Sequence, residues 1–250
     1  MDARAFFSPG LSKSDRARLK LLEAAVRIFG QKGLKGATVR EIAKAAGQNV
    51  AAIAYYFGGK EKLYAAVIEG ILRELRQRLD EELRAVHDFA RRGECSRAEA
   101  TRLVSRLLAA IYARLLSRDD AVPIVQLVVR EQLGPTAGFE ALYEHGFREV
   151  HEALCLLVGA AIGRDPREPE TILRTHTLMG QVYFFAMSRE AVLRRLGWKS
   201  LEGRNAELVV KVLAENLEAL LPALANAPRE KMRGKSARVE KPQNSKERRL

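Results

Sequence analysis

The residues of this chain whose types and spacing best suit chemistry lie between Thr38 and Lys60. Thr38 and Glu41 have the T-x-x-E spacing of a capping box, which starts a helix by satisfying its first free N–H groups. Gly47-Gln48-Asn49 reads as a three-residue turn, and a second short helix follows from Val50 to about Phe57. Two short helices joined by a glycine-bearing turn make a helix-turn-helix, whose second helix can enter a DNA major groove. On that reading Gln48, Asn49, Val50, Ala52, Tyr55 and Tyr56 face the duplex, while Ala51, Ile53 and Phe57 turn inward. Val50 and Ala52 can touch thymine methyls, and Gln48 or Asn49 can hydrogen-bond an adenine edge. Thr38, Tyr55, Tyr56 and Lys60 suit phosphate oxygens, with Lys60 placed where a helix N-terminus favours anions.

Other chemistry is poorly supported. No Ser-His-Asp set, glycine-rich phosphate loop or carboxylate pair stands out, so neither an enzyme nor a cofactor is expected. His151 and Cys155, four residues apart on one helix, offer two metal ligands. Two do not make a site, and His145 falls off their face, so no metal is expected either.

Helical elements must position these groups. Ser12 or Ser14 can cap a first helix, with Leu19, Leu22, Val26 and Phe29 at helical spacing and Gly33 as its stop. The second helix carries Ile42 and Ala45 inward. After Gly58-Gly59 a long fourth helix runs from Lys60 towards His87. Its acid-first pairs Glu69/Arg73, Glu74/Arg78 and Asp80/Arg84 predict a largely solvent-exposed rod linking two domains. Ser96 and Glu99 offer another capping box. Helical patterns follow at about 97–117, 120–133, 136–161, 168–188 and 205–224, with a short piece near 188–196. Asn216 joins the stripe Val209, Leu213, Leu220, either fixing register with a partner helix or lying at its rim. With no alternating β-branched run and no internal repeat, the fold class expected is all-α. The expected domains are an arm at 1–11, a helix-turn-helix domain at 12–62, a larger helical bundle at 63–225 and a tail at 226–250.

Composition agrees. The 250 residues are 47% hydrophobic and 30% charged, and the net charge of +12 suits a polyanionic partner. Half of that excess lies from Asn226 to Leu250, where nine Lys or Arg face three Glu, a net of +6. This stretch has the composition of a disordered basic tail, able to add non-specific phosphate contacts or simply to solubilise. No apolar run approaches the roughly 18 residues that span a bilayer, and acidic Asp2 with no apolar run after it argues against a signal peptide. Cys95 and Cys155, without a CxxC partner, suggest a reducing, cytoplasmic setting.

The same residues resemble a family. Leu22-Glu23-Ala24-Ala25, Phe29, Gly33, Ala37 to Ala43, Ala46-Gly47 and Tyr55 to Leu63 resemble the N-terminal signature of TetR-family regulators over about 45 residues. Further on, Arg130-Glu131-Gln132-Leu133, Pro135-Thr136-Ala137, His176-Thr177 with Gly180, and Gly197-Trp198 resemble the CecR-like subgroup, as does Gly47 to Ile53. The resemblance implies a homodimer built on the last two long helices and a repressor that binds a double-stranded DNA operator. It implies a small-molecule effector of unknown identity in a C-terminal cavity, and Arg40 reaching a base or phosphate. Many members carry Tyr or Asn where this chain has Ala54, which leaves Tyr55 and Tyr56 as substitutes.

Helical bundles hold ligands in apolar cavities with a few placed polar groups. Between about 100 and 190 the candidates are Gln126, Arg130, Glu131, His176 and Gln181, with Tyr183, Phe184 and Phe185 as aromatic walls. Arg130 and Glu131 equally fit a buried structural pair. An alternative is a DNA-binding protein whose C-terminal half answers to a protein partner instead of a small molecule. Another is a helical enzyme or scaffold that uses the head only for assembly.

Overall fold

The computed structural model describes residues 12–93 and 96–227, so the expected arm, Cys95 and nearly all of the basic tail lie outside the described residues. The described residues form helices α1 (Lys13–Gly36), α2 (Val39–Ala46), α3 (Ala51–Phe57), α4 (Lys60–Arg92) and α5 (Arg97–Ala110). They continue with α6 (Val122–Leu133), α7 (Ala137–Leu142), α8 (Arg148–Ile162), α9 (Pro169–Met187), α10 (Arg189–Leu196) and α11 (Arg204–Ala225). Among these residues there is no strand, and no helix is long and apolar enough to cross a membrane.

Local signals set most boundaries. Ser12, rather than Ser14, caps α1 in a box with Asp15, and Thr38 does the same for α2 with Glu41. Gly33 leaves the helical path at φ 69°, yet another turn follows it before the helix ends at Gly36. Gly47 and Gly58 close α2 and α3 in the left-handed conformation that only glycine adopts without penalty. Ser96 accepts from the Glu99 amide at 3.2 Å. Two π-helical turns extend the pattern: Ile111–Leu116 follows α5, and Tyr143–Phe147 joins α7 to α8.

Two cores share α4. The first packs Leu21, Ala25 and Phe29 of α1 with Ile42 and Ala46 of α2, Ile53 and Phe57 of α3, and Leu63 to Leu72 of α4. It also takes in Leu127 of α6 and Leu142 of α7, so the head is closed by helices from far along the chain. The second joins Leu79 to Phe89 of α4 with α5, α8, α9 and α11. The expected exposed rod is therefore corrected: α4 is a spine embedded in both cores. Glu74–Arg78 and Asp80–Arg84 do pair along it, whereas Glu69 and Arg73 form no ion pair. Acid-first spacing describes only the outer face of a helix and says nothing of the face that packs.

Three other expectations shift by a fraction of a turn. The buried stripe of α1 runs through Leu21, Ala25 and Phe29, with Leu19, Leu22 and Val26 half-buried beside it. In α2, Ala43 and Ala46 are buried while Ala45 is exposed. On α11 the stripe is Val209, Leu213, Leu217 and Leu221, which leaves Asn216 on the outer surface.

Candidate nucleic-acid interface

The head's geometry follows from its turn. Gly47 and Gln48 both donate backbone N–H groups to the Ala43 carbonyl, closing α2. The Asn49 side-chain oxygen then accepts from the Ala51 amide at 2.9 Å, opening α3. That bond uses one of the two lone pairs on the Asn49 oxygen and leaves its NH₂ group as a donor. Val50 already has helical backbone angles, so its phase carries straight into α3. Ile53 and Phe57 are buried, and Val50, Ala51, Ala54 and Tyr55 face solvent.

The exposed face differs from the expected one at two positions. Ala52 is half-buried against the head core, so Ala51 and Ala54 occupy the outer face in its place, and Ala51 is not the inward residue expected. Tyr55 is 82% exposed and meets Tyr56 edge to face at 4.9 Å. Tyr56 is half-buried against the core, and its hydroxyl accepts from Ser14 at 3.4 Å. Gln48 is half-buried, while Asn49, Thr38 and Arg40 are exposed. Lys60 is half-buried, and its ammonium donates to the Ala37 carbonyl at 3.2 Å, tying α4 to the link before α2.

Charge around α3 comes from its neighbours. From Val50 to Gly59 the sequence holds no charged residue. Arg40 and Lys44 stand four apart on the outer face of α2, and both are exposed. The exposed Lys62 runs beside Gly58, where an added Cβ would meet its Cδ at 3.2 Å. Among the described residues none of these three cations has an acidic partner, unlike Lys32, which binds Glu41. The Lys32 bond, followed by those from Thr38, holds the Glu41 carboxyl below its usual range. The i,i+4 spacing of Arg40 and Lys44 is a sequence signal for this outward-facing pair.

The ligand candidates sit in different surroundings. Gln126, His176 and Phe184 are exposed, and Gln181 is half-buried. Arg130 donates from Nε to the Gly30 carbonyl at 2.8 Å and from its terminal NH₂ to Gln31, clamping α6 to the end of α1. Glu131 does not pair with it. Only 4% exposed, Glu131 accepts from the Tyr64 hydroxyl of α4 and from the Thr136 amide at 3.1 Å and hydroxyl at 2.8 Å. Burial first, then Glu131, pushes the Tyr64 hydroxyl well above its ordinary value. The α1–α6 approach is close: a Cβ on Gly30 would lie 2.5 Å from the Pro123 carbonyl oxygen.

Elsewhere in the bundle, an open cleft of about 470 Å³ lies beside α4, α5 and α11, lined in part by Glu81, Glu82, Arg106 and Arg114. Glu82 is buried there, held by Arg114 at 2.8 Å. His151 approaches the Cys155 sulfur at 3.6 Å, but no group of three or more potential ligands among the described residues could hold a metal.

Comparison with known proteins fits this geometry. Residues 21–67 match the model of bacterial regulatory proteins of the tetR family. Residues 100–224 match that of the C-terminal domain of the HTH-type transcriptional dual regulator CecR. The chain is 33% identical to the transcriptional dual regulator CecR of Shigella flexneri over 213 residues, 85% of this chain and 95% of that one. Among solved structures it resembles HlyIIR, a hemolysin II transcriptional regulator, with a TM-score of 0.54 at 21% identity over 81% of this chain and 99% of the other. Mycobacterium smegmatis AmtR gives a TM-score of 0.54 at 19% identity over 87% and 94%. The chain is a DNA-binding transcriptional regulator and belongs to the TetR family, with a C-terminal domain of the CecR type.

Proposed function

We propose that this regulator represses transcription as a homodimer that grips a near-palindromic operator and lets go when a small molecule binds its C-terminal domain. The observation that carries the reading is the uncharged, small-residue face of α3, bracketed by the exposed cations Arg40, Lys44 and Lys62. Small side chains let a helix sit deep in the groove, and flanking cations hold the phosphates that fix its register.

Dimerisation is supported by the outer faces of α9 and α11. Leu173, Phe184 and Met187 are 66%, 67% and 64% exposed, and Leu208 and Val212 lie 48% and 41% exposed on the neighbouring helix. Exposed apolar groups of this size in adjacent long helices suit a partner surface. Two chains joined there would place their α3 helices in successive major grooves, roughly 34–36 Å apart. Working on DNA, the protein would reside in the cytoplasm.

Release is supported by the spine. A ligand shifts a conformational balance only through unequal affinity for its two states. In this fold any rearrangement of the bundle that moves α4 or α6 is felt in the head through Tyr64, Glu131 and Arg130. The CecR relative is named a dual regulator, and repression is the simpler of two outcomes for a protein that occupies an operator. The test is selection of genomic duplex fragments on the full-length protein, followed by footprinting and mass measurement of the complex. Two chains on one twofold-related protected site are expected. Retention of no duplex, or one chain per site, overturns the reading.

A further inference from the structure

The chemistry of α3 specifies which base pairs it can read. Side chains tell bases apart in the major groove by a few matched groups: an Arg or Lys fork for guanine, a free amide for adenine, a carboxylate for cytosine, and apolar contact for the thymine methyl. The outer face of α3 carries none of the first three. Val50, Ala51, Ala54 and Tyr55 are exposed there, and the whole segment from Val50 to Gly59 lacks an ionisable group other than the two tyrosines. Adenine recognition needs a donor and an acceptor free to swing onto one base edge, and the Asn49 oxygen is already held at the turn by the Ala51 amide at 2.9 Å. Gln48, half-buried at the turn, lies at the edge of this face. Arg40 and Lys44 belong to α2, the helix that crosses the backbone in this motif, a placement that favours phosphates as their partners.

We infer that this protein reads its operator chiefly through thymine methyl groups, which pack against Val50, Ala51 and Ala54 on the floor of the major groove. The half-site core is accordingly A·T-rich, with its thymines on the strand that faces α3. The inference rests on the proposed operator binding and adds to it the class of base recognised. Tyr55, next to Ala54, closes the row at the phosphate side.

Replacing thymine by uracil deletes the methyl and keeps every hydrogen-bonding group, which makes it the discriminating test. A duplex recovered by selection on the full-length protein is resynthesised with deoxyuridine at each half-site thymine, one position at a time and then together. The expected loss is about fourfold per contacted methyl and tenfold or more for the full set. Restoring the methyl as 5-methylcytosine paired with guanine should recover part of the affinity that cytosine at the same position lacks. A mixed-sequence duplex should bind equally with either base. In the Ala51→Gly, Ala54→Gly double variant the uracil penalty should shrink. A selected half-site built of G·C pairs, or a fully substituted duplex bound within twofold of the original, overturns the inference while leaving operator binding intact. Retention of no duplex at all removes both.

Discussion

The head and the bundle differ in their balance of local and long-range contacts. In the head, boundaries are closed by residues two to four apart: Ser12 with Asp15, Thr38 with Glu41, Asn49 with Ala51. In the bundle and at its junction with the head, the decisive bonds cross the chain. Tyr64 reaches Glu131, Arg130 reaches Gly30, and Arg189 reaches the Ser117 carbonyl at 2.9 Å. Local bonds can form before the fold exists, so they specify where helices start and stop. Long-range bonds specify how helices sit against each other, and a two-state regulator needs its adjustable contacts to be of that kind.

The contrast can be broken most severely at Glu131. Glu131→Ala leaves the buried Tyr64 hydroxyl and the Thr136 donors without their acceptor, and is expected to cost about 3 kcal/mol in urea unfolding. If stability changed by less than about 1 kcal/mol, the junction would not depend on that carboxylate.

A pair of identical substitutions sharpens the same point. Tyr64→Phe should destabilise by about 1–2 kcal/mol, because its hydroxyl has a charged partner. Tyr112 is fully buried against Phe185, and its hydroxyl has no partner among the described residues. Tyr112→Phe should therefore be neutral or stabilising by up to about 1 kcal/mol. Burial pushes the Tyr112 hydroxyl up to about 12, so the folded state keeps a proton that the unfolded chain gives up near pH 10. That contribution to stability is complete below about pH 10 and is lost as pH rises towards 12. Melting between those limits should fall less steeply in Tyr112→Phe than in the parent protein.

In the head, Thr38→Ala removes a local cap and is expected to cost about 1 kcal/mol. A loss confined to the amide exchange of α2 and α3 would place the effect in the head, whereas a loss spread over α5 and α8 would contradict the division. Smallest in stability are Arg40→Ala and Lys44→Ala, each within about 0.5 kcal/mol. Each should lower the slope of log affinity against log salt by about one on every duplex tested. Unchanged slopes would remove these side chains from the phosphate contacts.

The same division explains what the sequence disclosed. Helix order, the capping box at Thr38, the Ser96 cap and the glycine stops were legible because each is a short-range signal written in a few residues. The inward Ile53 and Phe57 and the outward Val50 and Tyr55 of α3 were legible from helical spacing, whereas Ala51 and Ala52 have side chains too small and too alike to signal which of them packs. Ala51 is exposed and Ala52 half-buried, where the spacing alone puts Ala52 outward and Ala51 inward. Arg130 and Glu131 were visible as polar residues on an apolar helix, but nothing local says that one clamps α1 and the other serves α4 and α7. His176 and Phe184 lie on the outer side of α9, and only the packed bundle determines which side that is.

The central claim is that the exposed face of α3 lies against the bases. Ala54→Glu places a carboxylate on that face without touching the core, so thermal melting should stay within a few degrees of the parent. Fluorescence anisotropy with the selected duplex should then report affinity lowered by about a hundredfold, the cost of setting like charge against DNA. A variant that folds normally and binds the duplex as tightly as its parent would contradict the account.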